Sequence, residues 1–287
     1  MNVKQLIQNY PGTKIDKVPF KPEEESLYFY EEPYYLAIPK KSISDQECFL
    51  FKALLNRELP PEYSKHAELW YRVLIRDQQI QREERDNRVS IIQFQLAATL
   101  SPEDLFEWRR ALEAFFDSSA AFIYLSSRKG LVVVEDDFPV TEDELTSIAN
   151  TLENDFSVKG YFQIGLRHPL SPIIRKVFLE EHRLFEQTVT QTSKAVTCVE
   201  ANFFLLLKPL TKESKILDET RTLIAKDQSW ISIIRSIWEH QGNISLAAKK
   251  LYMHRNTLQY RIDKFYESTG ISLKRMDGLT IAYLASL

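Results

Sequence analysis

The chain has 287 residues, 44% hydrophobic and 27% charged, with a formal net charge of −3. That length suits two or three domains of about 100–150 residues each, and the composition excludes a disordered or collagen-like chain. Two cysteines, Cys48 and Cys198, exclude a disulfide framework and read as buried reduced thiols. The longest apolar runs, CFLF at 48–51 and FFLLL at 203–207, fall far short of the ~20 residues that span a bilayer, and the first residues lack the apolar core of a signal peptide. The expectation is a cytoplasmic protein with no membrane partner.

In chain order, two aromatic, strand-like runs flank Glu31-Glu32-Pro33 within 26–39 and predict a β-hairpin. Residues 42–56 predict a helix with Ser44 or Ser42 as N-cap. Pro60-Pro61 breaks the pattern, and 66–77 predicts another helix. The charged stretch 81–88 reads as a solvated junction or the polar end of a helix. From Val89 the pattern changes. It predicts a strand at 89–97, then a helix at 101–116 with Ser101 as N-cap and Pro102 at its first position. Two strands within 120–137 follow, joined at Arg128-Lys129-Gly130. Next come a helix at 141–156 with a Thr141/Glu144 capping box, a strand at 161–166 and a long amphipathic helix at 170–188. The order β-α-β-β-α-β-α describes one α+β domain with an antiparallel central hairpin. Residues 189–228 hold a strand, a short helix and a further helix at 216–227.

Charge is unevenly spread. Residues 229–287 carry eight Lys/Arg against four Asp/Glu, whereas the remainder carries 29 basic and 36 acidic residues. A basic end on an acidic body is the asymmetry expected where one end meets a polyanion. In this end a helix at 230–243 stops near Gly242, and 244–273 reads as helix, tight turn, helix. Ala247 and Ala248 allow two helices to approach closely, Leu251 and Met253 bracket the turn, and Leu258, Ile262 and Phe265 form one buried stripe. The opposite face carries Asn256, Gln259, Tyr260 and Asp263, with Thr257 and Lys264 at one edge and Arg255 and Arg261 at the flanks. A recognition helix needs this division: one side packs while the other offers hydrogen-bonding side chains to base edges, Arg to guanine and Asn or Gln to adenine. Lys249, Lys250 and Lys264 fall where phosphates would lie. An amphipathic helix after AAxxL also suits a plain helical bundle.

The segment AAKKLYMHRNTLQYRIDKFYESTGISL resembles the C-terminal helix-turn-helix of the PucR/CdaR family of bacterial transcription regulators. The likeness rests on Ala247-Ala248, the run Met253 to Leu258, Tyr260-Arg261 and Thr269-Gly270. It is similar, more distantly, to the Fis-type helix-turn-helix, in which the turn position held here by Tyr252 is often Gly. The resemblance implies a sequence-specific, effector-responsive regulator of double-stranded DNA. It is expected to work as a homodimer or higher oligomer, with a recognition helix from about 255 to 266. The DNA contacts it implies are His254, Arg255, Asn256, Thr257, Gln259, Tyr260 and Arg261, to which the placement of Lys249 and Lys264 adds two phosphate contacts. The alternative is a ligand-sensing adaptor whose helix-turn-helix contacts protein.

The middle β-α-β-β-α-β-α order is similar to the GGDEF-like domain that members of this family carry. A working cyclase needs an acidic metal ligand at the end of its first strand and acids in its central hairpin. Here the strand reads IIQFQLA and the turn SSRKG, so a degenerate scaffold is expected, with no enzyme activity, metal or cofactor. The expected organisation is α+β and multidomain: an N-terminal α+β module at 1–85, the GGDEF-like domain at 86–200, a helical connection at 201–228 and the all-α helix-turn-helix at 229–287. Elsewhere chemistry is sparse. Arg128 and Lys129 read as an anion contact or as solvated hairpin residues, and His182 with Glu186 as a helical metal pair or a solvated face. His66, His168 and His240 stand apart, and the hairpin aromatics Tyr28, Phe29, Tyr30, Tyr34 and Tyr35 line a pocket or interface, or form strand core and cross-strand pairs.

Overall fold

The computed structural model describes residues 3–20, 23, 25–31, 33–58, 63–78, 88–135 and 139–287. Pro60-Pro61, most of the charged stretch 81–88, Glu32 and Asp136-Asp137 lie outside them. Contacts divide the chain into two compact units, Met1–Ala201 and Asn202–Leu287.

The first unit opens with helix α1 (Val3–Asn9), strands β1 (Lys14–Asp16), β2 (Ser26–Glu31) and β3 (Tyr34–Pro39), helix α2 (Asp45–Leu54) and strand β4 (Asn56–Glu58). The expected hairpin is β2–β3, paired from Ser26↔Pro39 to Glu31↔Tyr34. It sits in an antiparallel sheet of order β1-β3-β2-β4. Phe29, Leu36 and Ile38 form this sheet's core. Ser44, not Ser42, caps α2 and forms a capping box with Glu47.

Next come α3 (Lys65–Leu74), β5 (Arg88–Leu96), α4 (Pro102–Glu113), β6 (Ala121–Tyr124), β7 (Lys129–Val134), α5 (Glu142–Phe156), β8 (Gly160–Ile164), β9 (His168–Pro169), α6 (Ile174–Thr188) and β10 (Val196–Cys198). The sheet runs β10-β8-β5-β7-β6, with β9 beside β5. All pairs are antiparallel except β10–β8. This is the split βαββαβ arrangement that the sequence order implies. Ser101 and Thr141 cap α4 and α5 as expected.

Both faces of this sheet are covered, which explains the nearly unbroken buried run in β5. Ile92, Phe94 and Leu96 pack with Leu105, Trp108 and Leu112 of α4 and Leu145 of α5. Val89 and Ile91 pack on the other face with Trp70, Tyr71 and Leu74 of α3 and Phe178 of α6. Helix α3, read with the N-terminal module, thus buries its apolar side on the middle sheet, and the expected boundary near residue 85 falls inside one compact unit.

The unit boundary falls in α7 (Val199–Asn202), which is followed by a 3-10 turn over Phe203–Leu207. The second unit then has α8 (Lys208–Thr211), α9 (Lys215–Ala225), α10 (Ser229–Glu239), α11 (Ile244–Lys250), α12 (Arg255–Thr269) and α13 (Met276–Ala285). Ile224 of α9 is buried in the same core as Ile233, Leu258 and Leu279, so the stretch 201–228 includes a packed part of this unit. Helix α13 was not read from the sequence. Its Leu279, Ala282 and Ala285 are all buried, and Gly278 sits where a Cβ would strike the Ser272 carbonyl oxygen. None of the described helices is long and apolar enough to cross a membrane.

Candidate nucleic-acid interface

Local sequence sets the helix-turn-helix. The Asn243 side chain accepts from the backbone N–H groups of Ser245 and Leu246 and so starts α11. Ala247 and Ala248 are buried against α10 and α12, as expected of small residues at a helix crossing. The chain turns through Tyr252 at φ +55, a left-handed conformation that favours glycine, and this side chain is 99% exposed. His254 caps α12: its Nδ1 accepts from the Asn256 N–H at 3.2 Å, which leaves Nε2 facing outward. Gly270, at φ +70, ends α12.

Leu258, Ile262 and Phe265 are buried as one stripe, which fixes what the rest of α12 presents. Lys249, Lys250, His254, Arg255, Asn256, Thr257 and Lys264 are exposed, Tyr260 strongly so, and Gln259 is half-buried. The Gln259 amide makes long contacts of 3.4–3.5 Å to Asp263 one turn on. Asp263 is held by the Lys274 ammonium at 2.6 Å, which with the Gln259 bond lowers its carboxyl pKa. Lys264 pairs with Glu267 at 2.6 Å, which raises the pKa of its ammonium.

Arg261, expected at the flank of the helix, is engaged by groups of its own chain. Its guanidinium donates to Asp227 at 2.7 Å and to the Ser229 hydroxyl, and lies 5.0 Å from the centre of the Trp230 ring. Three neighbours hold it at the start of α10, so it ties α12 to α10.

Ion pairs neutralise part of the charge carried by 229–287, while Arg235 and, earlier in the unit, Lys208, Lys212 and Lys226 make no ion pair among the described residues. Arg261, Lys264, Lys274 and Arg275 face Asp227, Glu267, Asp263 and Asp277, and Arg235 donates to the Ser286 carbonyl. Lys249, Lys250 and Arg255 have no ion-pair partner among the described residues. They fall at the end of α11 and the first position of α12, around the turn.

The other candidates resolve differently. Arg128 donates to the Leu96 and Ala97 carbonyls, and Lys129 pairs with Glu186 at 3.0 Å, so neither is a solvated hairpin residue. His182 does not lie on a solvated face. Its Nδ1 lies 2.7 Å from the Gln93 amide oxygen and its ring stacks on Phe178; burial lowers its pKa. His66 meets Glu135 at 2.7 Å, His168 meets Glu181 at 2.9 Å, and His240 bonds the Ser236 carbonyl. Tyr30 and Tyr35 form a cross-strand pair with ring centres 4.6 Å apart, while Phe29 enters the core. No local pattern marks buried Glu58, which accepts from the Ser127 N–H and hydroxyl.

The PucR C-terminal helix-turn-helix domain matches residues 231–287. The chain is similar to Uncharacterized protein YxkF of Bacillus subtilis (strain 168), 28% identical over 297 aligned positions that cover 99% of this chain and 98% of that protein. It is also 28% identical over 149 residues to Leucine-rich protein of Streptococcus dysgalactiae subsp. equisimilis, covering 49% of this chain and 51% of that one. Among solved structures, the regulator of polyketide synthase expression from Bifidobacterium adolescentis aligns with 14% identity and a TM-score of 0.36, covering 77% of this chain and 90% of that one.

Proposed function

We propose that the chain, whose residues 231–287 match the PucR C-terminal helix-turn-helix domain, is a sequence-specific, DNA-binding transcription regulator. The observation that carries this reading is the cluster of unpaired cations at the turn, Lys249, Lys250 and Arg255, beside the exposed polar face of α12. In this reading the N-terminal half of α12 enters the major groove. Arg255, Asn256 and Gln259 reach base edges by paired hydrogen bonds. The outward Nε2 of His254, Thr257 and the Tyr260 hydroxyl add contacts at the groove wall. Lys249, Lys250 and Lys264 meet phosphates and supply salt-dependent affinity. Arg261 positions α12 rather than touching DNA.

One such module makes few base contacts. Two modules related by a two-fold axis read half-sites about 34–36 Å apart, or a multiple of that, so the working form is a homodimer or higher oligomer. The first unit would supply the dimer contacts and the response to a small-molecule effector. Its middle sheet is a GGDEF-like scaffold given over to structure: the hairpin cations at Arg128 and Lys129 are held by protein groups, and no catalytic step is assigned to it.

Selection of bound genomic fragments by the full chain and by Arg255→Ala tests the reading. A two-fold-symmetric motif is expected from the first and none from the second. Removing a bidentate base contact costs about 1–3 kcal/mol, whereas Lys249→Ala weakens all sequences alike and reduces the salt slope by about one. If the full chain selects no motif at low salt, with or without candidate metabolites, the helix-turn-helix contacts protein instead.

A further inference from the structure

Helix α11 closes on two backbone hydrogen bonds. The N–H of Tyr252 donates to the Lys249 carbonyl at 3.2 Å, and the N–H of Met253 donates to the Ala248 carbonyl at 2.9 Å. This is the Schellman arrangement, and it puts Tyr252 in the left-handed conformation at φ +55. Glycine is the usual occupant of that position, because a Cβ there crowds the following carbonyl oxygen and costs stability. The same unit uses glycine after its neighbouring helices, Gly242 at φ +81 beyond α10 and Gly270 at φ +70 beyond α12. The other described non-glycine residues at positive φ are Asp77, Ser157 and Gln241, so Tyr252 is the aromatic exception among them.

Packing within the unit does not offset this cost. The Tyr252 side chain is 99% exposed, and its hydroxyl has no hydrogen-bond partner among the described residues. A strained backbone that presents a large side chain to solvent is a feature of contact sites, where a partner supplies what the fold does not. The neighbours of Tyr252 specify the chemistry of that partner. Lys249 and Lys250 stand just before it and Arg255 three residues after it, all exposed and without an ion-pair partner among the described residues. Three residues of chain span at most about 11 Å, less than the ~12 Å width of the major groove. With Arg255 at a base edge, Tyr252 is therefore within reach of the phosphates that rim the groove. A phenol O–H donates to an anionic oxygen, and its ring offers an apolar face to a sugar.

We propose that Tyr252 is a DNA-backbone contact. Its hydroxyl donates to a phosphate oxygen at the rim of the major groove and its ring lies on the adjoining deoxyribose, which sets the register of α12 in the groove. The inference rests on the DNA-binding reading above and adds to its charged contacts one that carries no charge. In this role the turn gives up stability that glycine would supply and gains a contact that glycine cannot make.

Fluorescence-anisotropy titrations of the full chain against its selected duplex and a random-sequence duplex, from about 50 to 200 mM salt, test it beside differential scanning calorimetry. Tyr252→Phe keeps the ring and loses the hydroxyl. It should bind both duplexes about fivefold more weakly, with the slope of log affinity against log salt unchanged because no charge is removed. Tyr252→Gly should bind about tenfold more weakly while the melting midpoint of the second unit rises by about 4–8 °C. A merely structural residue would move stability and affinity in the same direction, whereas these are expected to move oppositely. Unchanged binding by either variant, or a lower melting midpoint in Tyr252→Gly, would overturn the assignment and leave the regulator reading standing. If the unaltered chain binds neither duplex, both fail together.

Discussion

Arg261 shows how tertiary contacts add to what spacing implies for a single side chain. Its spacing puts it at the flank of a recognition helix, but Asp227, Ser229 and Trp230 hold it at the start of α10. Arg261→Ala should lower the melting midpoint of the second unit by several degrees while leaving the selected DNA motif unchanged. A cation–π contact contributes about 0.5–1 kcal/mol at a partly exposed site, and a domain of this size loses about 4–8 °C per kcal/mol. Differential scanning calorimetry beside fragment selection checks both halves. Glu58 makes a second prediction at this scale. Burial raises its carboxyl from 4.5 to about 7, against the lowering by Ser127 and Arg109. The folded chain thus keeps a proton that the unfolded chain has lost in this window. Stability from this group is greatest at low pH and falls as pH rises from about 4.5 to about 7, by up to about 3 kcal/mol. Glu58→Gln should flatten that slope, as read by urea unfolding at pH 5 and pH 8.

Elements follow the sequence closely where local signals are strong. Ser101, Thr141 and Asn243 start helices because each side-chain oxygen accepts from an orphan backbone N–H, and Gly270 ends one because it adopts a left-handed conformation. The turn of the helix-turn-helix is the informative exception. Tyr252 takes φ +55 with its ring in solvent, so nothing visible in its packing offsets the backbone cost. Tyr252→Gly should stabilise the second unit by about 1 kcal/mol, as thermal unfolding would show. Helix α13 was illegible for a physical reason. Its apolar residues run together at 281–285 and lie all round the helix instead of on one stripe, it contains Gly278, and its burial depends on α9 and α10, which are distant in sequence.

At the scale of the whole molecule, two compact units meet in the chain at residues 201 and 202. Each has its own core, so 202–287 expressed alone should unfold cooperatively and keep its helical circular dichroism. It should bind DNA about 10²–10⁴-fold more weakly than the full chain, because it loses the effective concentration of a tethered second module. Light scattering of the full chain, expected to give a dimer, accompanies that comparison. The boundary expected near residue 85 lies within one compact unit. The charged stretch at 81–88 looks like a junction, yet Trp70, Tyr71 and Leu74 before it pack with Val89 and Ile91 after it.

Short-range chemistry set the β-α-β-β-α-β-α order, the caps, the buried stripe of α12 and the small-residue crossing of α11, because these depend on residues a few positions apart. The helix-turn-helix resemblance rests on the same local pattern. Tertiary structure alone decided which cations stay unpaired, since Lys274 reaches Asp263 and Arg261 reaches Asp227 across the fold. It also decided that α3 covers the middle sheet and that Glu58 meets Ser127, 69 positions away. Burial and charge pairing between distant segments have no signature in local spacing, so those parts of the candidate sites emerge only when the chain is folded.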